Sequence, residues 1–352
     1  MGRKFWGVSL AIVSALALAG CSSSQAAEPG DTADGDIGIT ELKIGYFPNF
    51  THAPAIVALE QGYLQEELGP DVKITPVVFN AGPAAIEALF AGGVDVSFIG
   101  PNPAITGYAQ SDGAALRVVS GAASGGAGLV VREGIDSIAD LEGATIATPQ
   151  LGNTQDVALR YFLQENGFET TTEGGGDVRV TPQDNATTLT ALQSGQIDGA
   201  WVPEPWMTRL QLEGGAKLLI DEADLWDDGQ FVVTHVIAAT PFLEQHPAAV
   251  AAVIRAEQRA IAYIQEDPEG AKQVVNDAIE ALTGKGIAPE LLDAAWEHVA
   301  FTLDPLPATL YGSAEHAEAV GLLDPIDLDG IYDLSLLNAV LADAGLDEIE
   351  LP

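Results

Sequence analysis

Cysteine and basic side chains are scarce in this sequence: one Cys and 14 Lys and Arg among 352 residues. A single cysteine excludes a disulfide scaffold and any zinc or iron–sulfur site built from thiolates. The few basic residues form no cluster, which excludes recognition of nucleic acid through its phosphates. Catalytic motifs are missing as well. His52, His235, His246, His298 and His316 show no H-E-x-x-H or other metal-ligand spacing, and no G-x-S-x-G, P-loop or G-x-G-x-x-G occurs. Gly174-Gly175-Gly176 precedes a strand, the wrong order for a phosphate cradle. Neither an enzyme nor a metal or cofactor site is expected. After the N-terminal apolar run, no segment is apolar enough to span a membrane. Acid, by contrast, is abundant: 51 Asp and Glu give a formal charge of −37, beside an apolar fraction of 47% that is ample for a core. The length fits one large or two medium domains. The question raised is what ligand so anionic a protein takes.

The start of the chain accounts for the cysteine. Arg3 and Lys4, the apolar run from Val8 to Leu18 and the small pair Ala19-Gly20 read as a secretory signal over residues 1–20. Leu18-Ala19-Gly20-Cys21 resembles the lipobox of bacterial lipoproteins, which implies cleavage before Cys21 and lipidation of its thiol. Losing residues 1–20 removes two basic residues and no acidic one, taking −37 to −39. Residues 21–38 lack hydrophobic periodicity and read as a flexible tether. The expected mature protein is a monomer outside the cytoplasmic membrane, at the cell surface or in the periplasm, touching the membrane only through the lipid.

From Leu42 onward short β-rich runs alternate with helical stretches, the pattern of largely parallel sheets covered by helices. Strands are expected at Leu42–Tyr46, Ile74–Phe79 and Val94–Phe98, each followed by a helix with a proline near its first turn: Pro54, Pro83 and Pro103. A second unit repeats the plan, with strands at Thr145–Thr148, Val178–Thr181 and Ile197–Trp201 and helices at Thr154–Glu165 and Ala186–Gln193. Ala88-Leu89-x-x-Gly92-x-Val94-Asp95 matches Ala191-Leu192-x-x-Gly195-x-Ile197-Asp198 at an offset of 103 residues. Arg117–Ser120 and Leu129–Arg132, separated by a Gly/Ala/Ser run, and Phe231–Ala239 are candidates for segments crossing between units. The expected architecture is two doubly wound α/β lobes joined by a two-segment hinge, with residues 39–128 and 236–352 in lobe 1 and 129–235 in lobe 2. Extra C-terminal helices are expected at Ala248–Gln265, Glu269–Leu282, Glu290–Ala300, Ala314–Leu322 and Leu334–Ala344, their acids mainly opposite the apolar stripes.

Ligands of open α/β sheets bind where strand ends lead into helix starts. Four such loops stand out: Tyr46 to Pro54, Ser97 to Ala104, Thr148 to Gln155 and Trp201 to Trp206. Their glycines, small polar residues and helix starts can hold a small oxyanion with few cationic side chains. The run G-Y-F-P-N-F-T-H-A-P-A-I-V-A-L-E-Q-G-Y-L resembles the start of the solute-binding proteins of ABC importers for sulfonates, taurine and nitrate. S-F-I-G-P-N-P-A-I, D-L-E-G-A-T-I-A-T-P, L-G-N-T and D-G-A-W-V-P-E-P-W extend the match over about residues 42–240.

That resemblance implies a type 2 periplasmic-binding-protein fold whose lobes close on a ligand for delivery to a membrane permease and its ATPase. Carried over, the ligand positions are His52 and Ala53, Gly100 and Asn102, Asn153 and Thr154, and Trp201 and Glu204. Asn153, Thr154, Gln155 and neighbouring N–H groups would grip the oxyanion, with Asn102 and His52 donating from the other lobe. Trp201 or Trp206 would cover an apolar stem. Glu204 would meet a ligand amine or point to water. Arg132, Arg160 and Arg209 are possible salt partners, each otherwise a surface or hinge residue. The ligand implied is an alkanesulfonate or taurine, with nitrate or bicarbonate as the alternative. A ligand-sensor subunit is a reading of another class, as is an enzyme of thiamin-pyrimidine synthesis, though that branch depends on a cysteine cluster missing here.

Overall fold

A computed structural model describes residues 37–352; the signal segment, Cys21 and nearly all of the tether lie outside the described residues. The first sheet has the order β11-β4-β10-β3-β1-β2, and its members are β1 (Glu41–Tyr46), β2 (Lys73–Val78), β3 (Val96–Ile99), β4 (Leu116–Gly125), β10 (Val232–Ala239) and β11 (Val299–Phe301). The second has the order β7-β6-β8-β5-β9, from β5 (Ala127–Val131), β6 (Thr145–Thr148), β7 (Arg179–Pro182), β8 (Gly199–Pro203) and β9 (Lys217–Asp221). In each sheet a parallel trio (β2, β1, β3 and β7, β6, β8) abuts an antiparallel strand.

Helices follow the parallel strands. The first lobe carries α1 (Ala53–Glu60), α2 (Tyr63–Leu68), α3 (Gly82–Phe90) and α4 (Pro101–Gln110), and the second α5 (Thr154–Glu165), α6 (Asn185–Gln193) and α7 (Trp206–Leu212). Pro54, Pro83 and Pro103 each sit within the first turn of their helix, where a missing N–H costs nothing. The repeat at 103 residues has a structural cause. Gly92 and Gly195 take positive φ to stop their helices, and Asp95 and Asp198 then accept the N–H of Lys43 and Thr145, each at 2.8 Å. One carboxylate thus pins the start of the neighbouring strand in each lobe.

The C-terminal part is α8 (Thr240–Gln245), α9 (Pro247–Glu266), α10 (Pro268–Thr283), α11 (Pro289–Trp296), α12 (Pro307–Ala319) and α13 (Ser335–Asp343). Ile254, Ile261, Val275, Ile279, Leu291 and Leu337 join one apolar core with Ile44, Val96 and Phe98 of the first sheet. The second lobe has two smaller cores, around Leu159, Phe162 and Trp201 and around Leu192, Val202 and Leu210.

Three expectations need correction, and the first is the helix expected over Ala314–Leu322, which starts seven residues earlier as α12 (Pro307–Ala319). Arg117–Ser120 is only part of β4, which continues through the Gly/Ala/Ser run to Gly125. Low strand propensity is overridden there because β10 and β11 pair with both its edges, and a Cβ on Gly121 would lie 2.2 Å from the Asp304 carbonyl. Gly125 and Gly126, at φ +77° and +70°, then turn the chain straight into β5 of the second sheet. The helix expected over Glu290–Ala300 stops at Trp296, because Val299–Phe301 pairs with the end of β4 as β11.

Candidate functional site

The loops at the carboxyl ends of β1, β2, β3, β6, β7 and β8 converge on a small cavity between the sheets. Its walls are Phe47, Asn49, Thr51, His52, Asn80, Gly100, Pro149, Asn153, Thr154, Gln155, Asn185, Pro203 and Val233. No side chain in that wall is formally charged, and burial depresses the His52 pKa to about 3, so its ring is neutral. The Phe47 N–H points at His52 Nδ1 (3.4 Å), which leaves Nε2–H as the donor the ring offers. About 20 Å³ is open to the centre of a water-sized sphere, room for a compact head group and not for a whole organic molecule.

Donors come mainly from α5. The N–H groups of Thr154 and Gln155 precede the first bond of the helix, which Asp156 N makes to Asn153 O at 3.0 Å, and the helix dipole favours negative charge there. The buried Thr154 hydroxyl has no hydrogen-bond partner, nor does Oδ1 of Asn185. By contrast α4 opens Pro101-Asn102-Pro103, so two of its first three residues have no N–H to offer. The loop before α5 is held by Asp156, whose carboxylate accepts from Thr148 Oγ1 at 2.8 Å, Gly152 N at 3.0 Å and Arg160 Nε at 3.0 Å. Both members of this ion pair are buried, and Arg160 also donates to Thr171 O.

The lobes approach closely around the cavity. Gly82 N donates to Asn153 Oδ1 at 3.2 Å, and Asn153 Nδ2 to Gln155 Oε1 at 2.9 Å, so the Asn153 amide is engaged in holding the walls together. A Cβ on Gly100 would fall 2.3 Å from Thr154 Oγ1.

Of the residues singled out from sequence, His52, Gly100, Asn153, Thr154 and Gln155 are brought together in this wall. Others are directed elsewhere. Ala53 is buried at the start of α1. Asn102 donates to the carbonyl of Ser313 in α12 at 2.9 Å. Trp201 is fully buried against Phe162, its indole donating to Glu222 at 2.7 Å. Glu204 is also fully buried. It accepts from Thr208 N and Oγ1 at 3.1 and 2.7 Å and lies 2.6 Å from His298 Nδ1, facing neither the cavity nor water. Hydrogen bonding to Glu204 raises the His298 pKa against the opposing effect of burial. Trp206 lies outside the cavity, with the Arg209 guanidinium 4.6 Å over its ring, and Arg132 pairs with Asp198 at the surface. Sequence reasoning passed over Asn49, Thr51, Asn80 and Asn185. Their signal was position: each follows a strand end closely or opens a helix.

Among the described residues no group of three His, Cys, Asp or Glu could hold a metal, and no helix is long and apolar enough to cross a membrane. Residues 36–279 match the model of the NMT1-like family. An Escherichia coli (strain K12) protein named for aliphatic sulfonates binding is 30% identical over 217 residues, covering 60% of this chain and 63% of its own. The alkanesulfonate-binding protein of Xanthomonas axonopodis pv. citri, solved bound to MOPS, superposes with a TM-score of 0.68 at 23% identity, over 82% of this chain and 95% of its own. The periplasmic nitrate-binding protein of Synechocystis PCC 6803 gives a TM-score of 0.68 at 17% identity, over 87% and 89% of the two chains. The two structural likenesses establish the periplasmic-binding-protein fold.

Proposed function

This chain belongs to the NMT1-like family, and from that premise we propose that it is the solute-capturing component of an ABC importer, closing its lobes on a small oxyanion. An alkanesulfonate is the ligand of first choice. The observation that carries this reading is the unpartnered Thr154 hydroxyl at the start of α5, in a wall without charged side chains. Neutral donors and a helix N-terminus favour a singly charged, compact head group over a cation. Taurine carries the same head, but the Glu204 carboxylate is held by Thr208 and His298 and offers its amine nothing in the cavity. Nitrate or bicarbonate is the second reading, favoured by the small size of the cavity.

In this proposal Cys21 carries the lipid, the tether expected over residues 21–38 ends at residue 36 because Ile37 packs against the first-lobe core, and the loaded monomer docks outside the membrane on a permease served by an ATPase. Calorimetry of the full chain against methanesulfonate, taurine, nitrate, bicarbonate and a pyrimidine tests it. Saturable binding of an oxyanion without turnover is the expected result. Binding of the pyrimidine alone, or chemical conversion of any of them, overturns it.

A further inference from the structure

Glu204 joins three separate parts of the molecule. Its N–H donates to Gly126 O at 2.8 Å, at the turn from the first sheet into the second. Its carbonyl accepts from Phe50 N at 3.2 Å and so holds the short helix Phe50–His52, from which Thr51 and His52 line the inner cavity. Its carboxylate accepts from Thr208 and lies 2.6 Å from Nδ1 of His298. His298 stands on the other side of the joint, between α11 and β11, beyond residue 279 where the match to the family model ends. Glu204 is fully buried, whereas the His298 side chain is 33% exposed. Water can therefore exchange a proton with the ring while the carboxylate stays dry.

We propose that Glu204 and His298 are a positioning pair across the lobes, and that protonation of the His298 ring tightens the grip on the oxyanion. The proposal rests on the oxyanion reading above and deepens it with a regulation of that site. Charge balance is the first argument. With an imidazolium the pair is neutral. Without it a buried carboxylate stands alone beside Pro203, its chain neighbour in the cavity wall, and repels an incoming anion. Position is the second argument. A neutral ring offers a weaker hydrogen bond than a charged one, so the joint that holds Phe50–His52 loosens as the charge is lost. The surrounding groups favour the charged ring. The hydrogen bond to Glu204 comes first in raising the His298 pKa, and the charges of Glu204, Asp221 at the end of β9 and Glu297 add to it against burial. From the other packed elements, His52 is neutral and Arg209 of α7 is paired with Glu213. Because the joined state raises this pKa above 6.5, closing takes up a proton, and affinity falls as pH rises through the His298 value.

The test is calorimetry of the full chain with methanesulfonate and with nitrate, from pH 6 to pH 9. Both are anions of strong acids and keep one charge throughout, so any response to pH belongs to the protein. Affinity is expected to fall by at least about fivefold from the acid to the alkaline end, the lower range of couplings between sites. Heats in two buffers of different ionisation enthalpy should show net proton uptake on binding. His298→Gln and Glu204→Gln each keep a hydrogen-bonding group and remove one charge, and both should flatten the profile. Glu204→Gln should also bind more tightly than the parent chain at pH 9, a gain that a merely structural role would not produce. A loss there overturns the proposal. So does a flat parent profile, or binding without proton uptake, and each of these leaves the oxyanion reading intact. A response that survives in either variant overturns it too, and belongs to Glu222, whose buried carboxyl has its pKa raised to about 7. Should one variant not fold, the other and the buffer heats decide. Binding of neither ligand at any pH overturns both readings.

Discussion

Asp95 and Asp198 hold matching strands in the two lobes, and there the likeness in handling acid ends. The second lobe buries Asp156 against Arg160 and Glu222 against the Trp201 indole. The first lobe buries Glu257 on α9, fully enclosed, with both oxygens unpartnered and no cation beside it. Burial pushes the Glu257 pKa well above its ordinary value of 4.5, the nearby Ser120 hydroxyl opposing this. The difference follows from what each region must do. The Asp156 oxygens accept from Thr148, Gly152 and Arg160 and position the loop that forms the cavity wall, whereas Glu257 sits in a core that packs helices on a sheet. Among the buried carboxylates compared, Asp156 is the one held by a cation, whereas Glu222 is held by an indole and Glu257 has neither.

The contrast can be broken most forcefully at the ion pair. Asp156→Ala strands a buried guanidinium and should cost about 3–5 kcal/mol in denaturant unfolding, with loss of ligand binding. A cost below 1 kcal/mol would show that the pair is ornamental. Next comes the grip itself. Thr154→Val keeps the shape and removes the unpartnered hydroxyl, so oxyanion affinity should fall by about 1.5–3 kcal/mol while the melting temperature holds. Unchanged affinity would move the head group elsewhere.

The first lobe should answer with the opposite sign. Glu257→Met replaces an unsatisfied acid with an apolar chain of similar size and should stabilise the fold by about 1–3 kcal/mol at pH 7. Because the folded pKa of Glu257 is raised, the stability it contributes is complete below about 4.5 and is lost as pH rises through the folded value. The gain from Glu257→Met should therefore grow with pH from about 4.5 upward, as denaturation at several pH values would register. A gain that shrinks with pH contradicts the assignment.

Smallest is the effect at Glu222. Burial raises its pKa to about 7, against the lowering effect of hydrogen bonds from Trp201 and Trp226. Its contribution to stability is likewise present at low pH and lost as pH rises from 4.5 through about 7. Tryptophan emission should show a transition centred near pH 7 that disappears in Glu222→Gln. A transition that persists belongs to another group.

Much of the scaffold was legible because it is written locally. Prolines at helix starts, glycines at helix stops and the Asp95/Asp198 repeat act within one strand–helix unit, and those units appear where the pattern placed them. The extension of β4 to Gly125 and the strand Val299–Phe301 were not legible, since they exist only through pairing between distant segments. The site divides in the same way. The loops that hold His52, Gly100 and Thr154 follow from the rule that strand ends meet helix starts, and the family resemblance is what picks out these residues within them. The fates of Asn102, Trp201 and Glu204 depend on Ser313, Glu222 and His298, partners that no local pattern connects to them.

The uncharged wall of the inner cavity has a consequence that concerns water more than charge. An anion entering it gives up a hydration shell, and amides, a hydroxyl and an imidazole return less than a fixed cation would. Dianions such as sulfate surrender the most. Diffuse monoanions such as a sulfonate surrender little. An anion bound in this cavity would therefore meet a drying cost that is smaller for a diffuse monoanion than for a dianion.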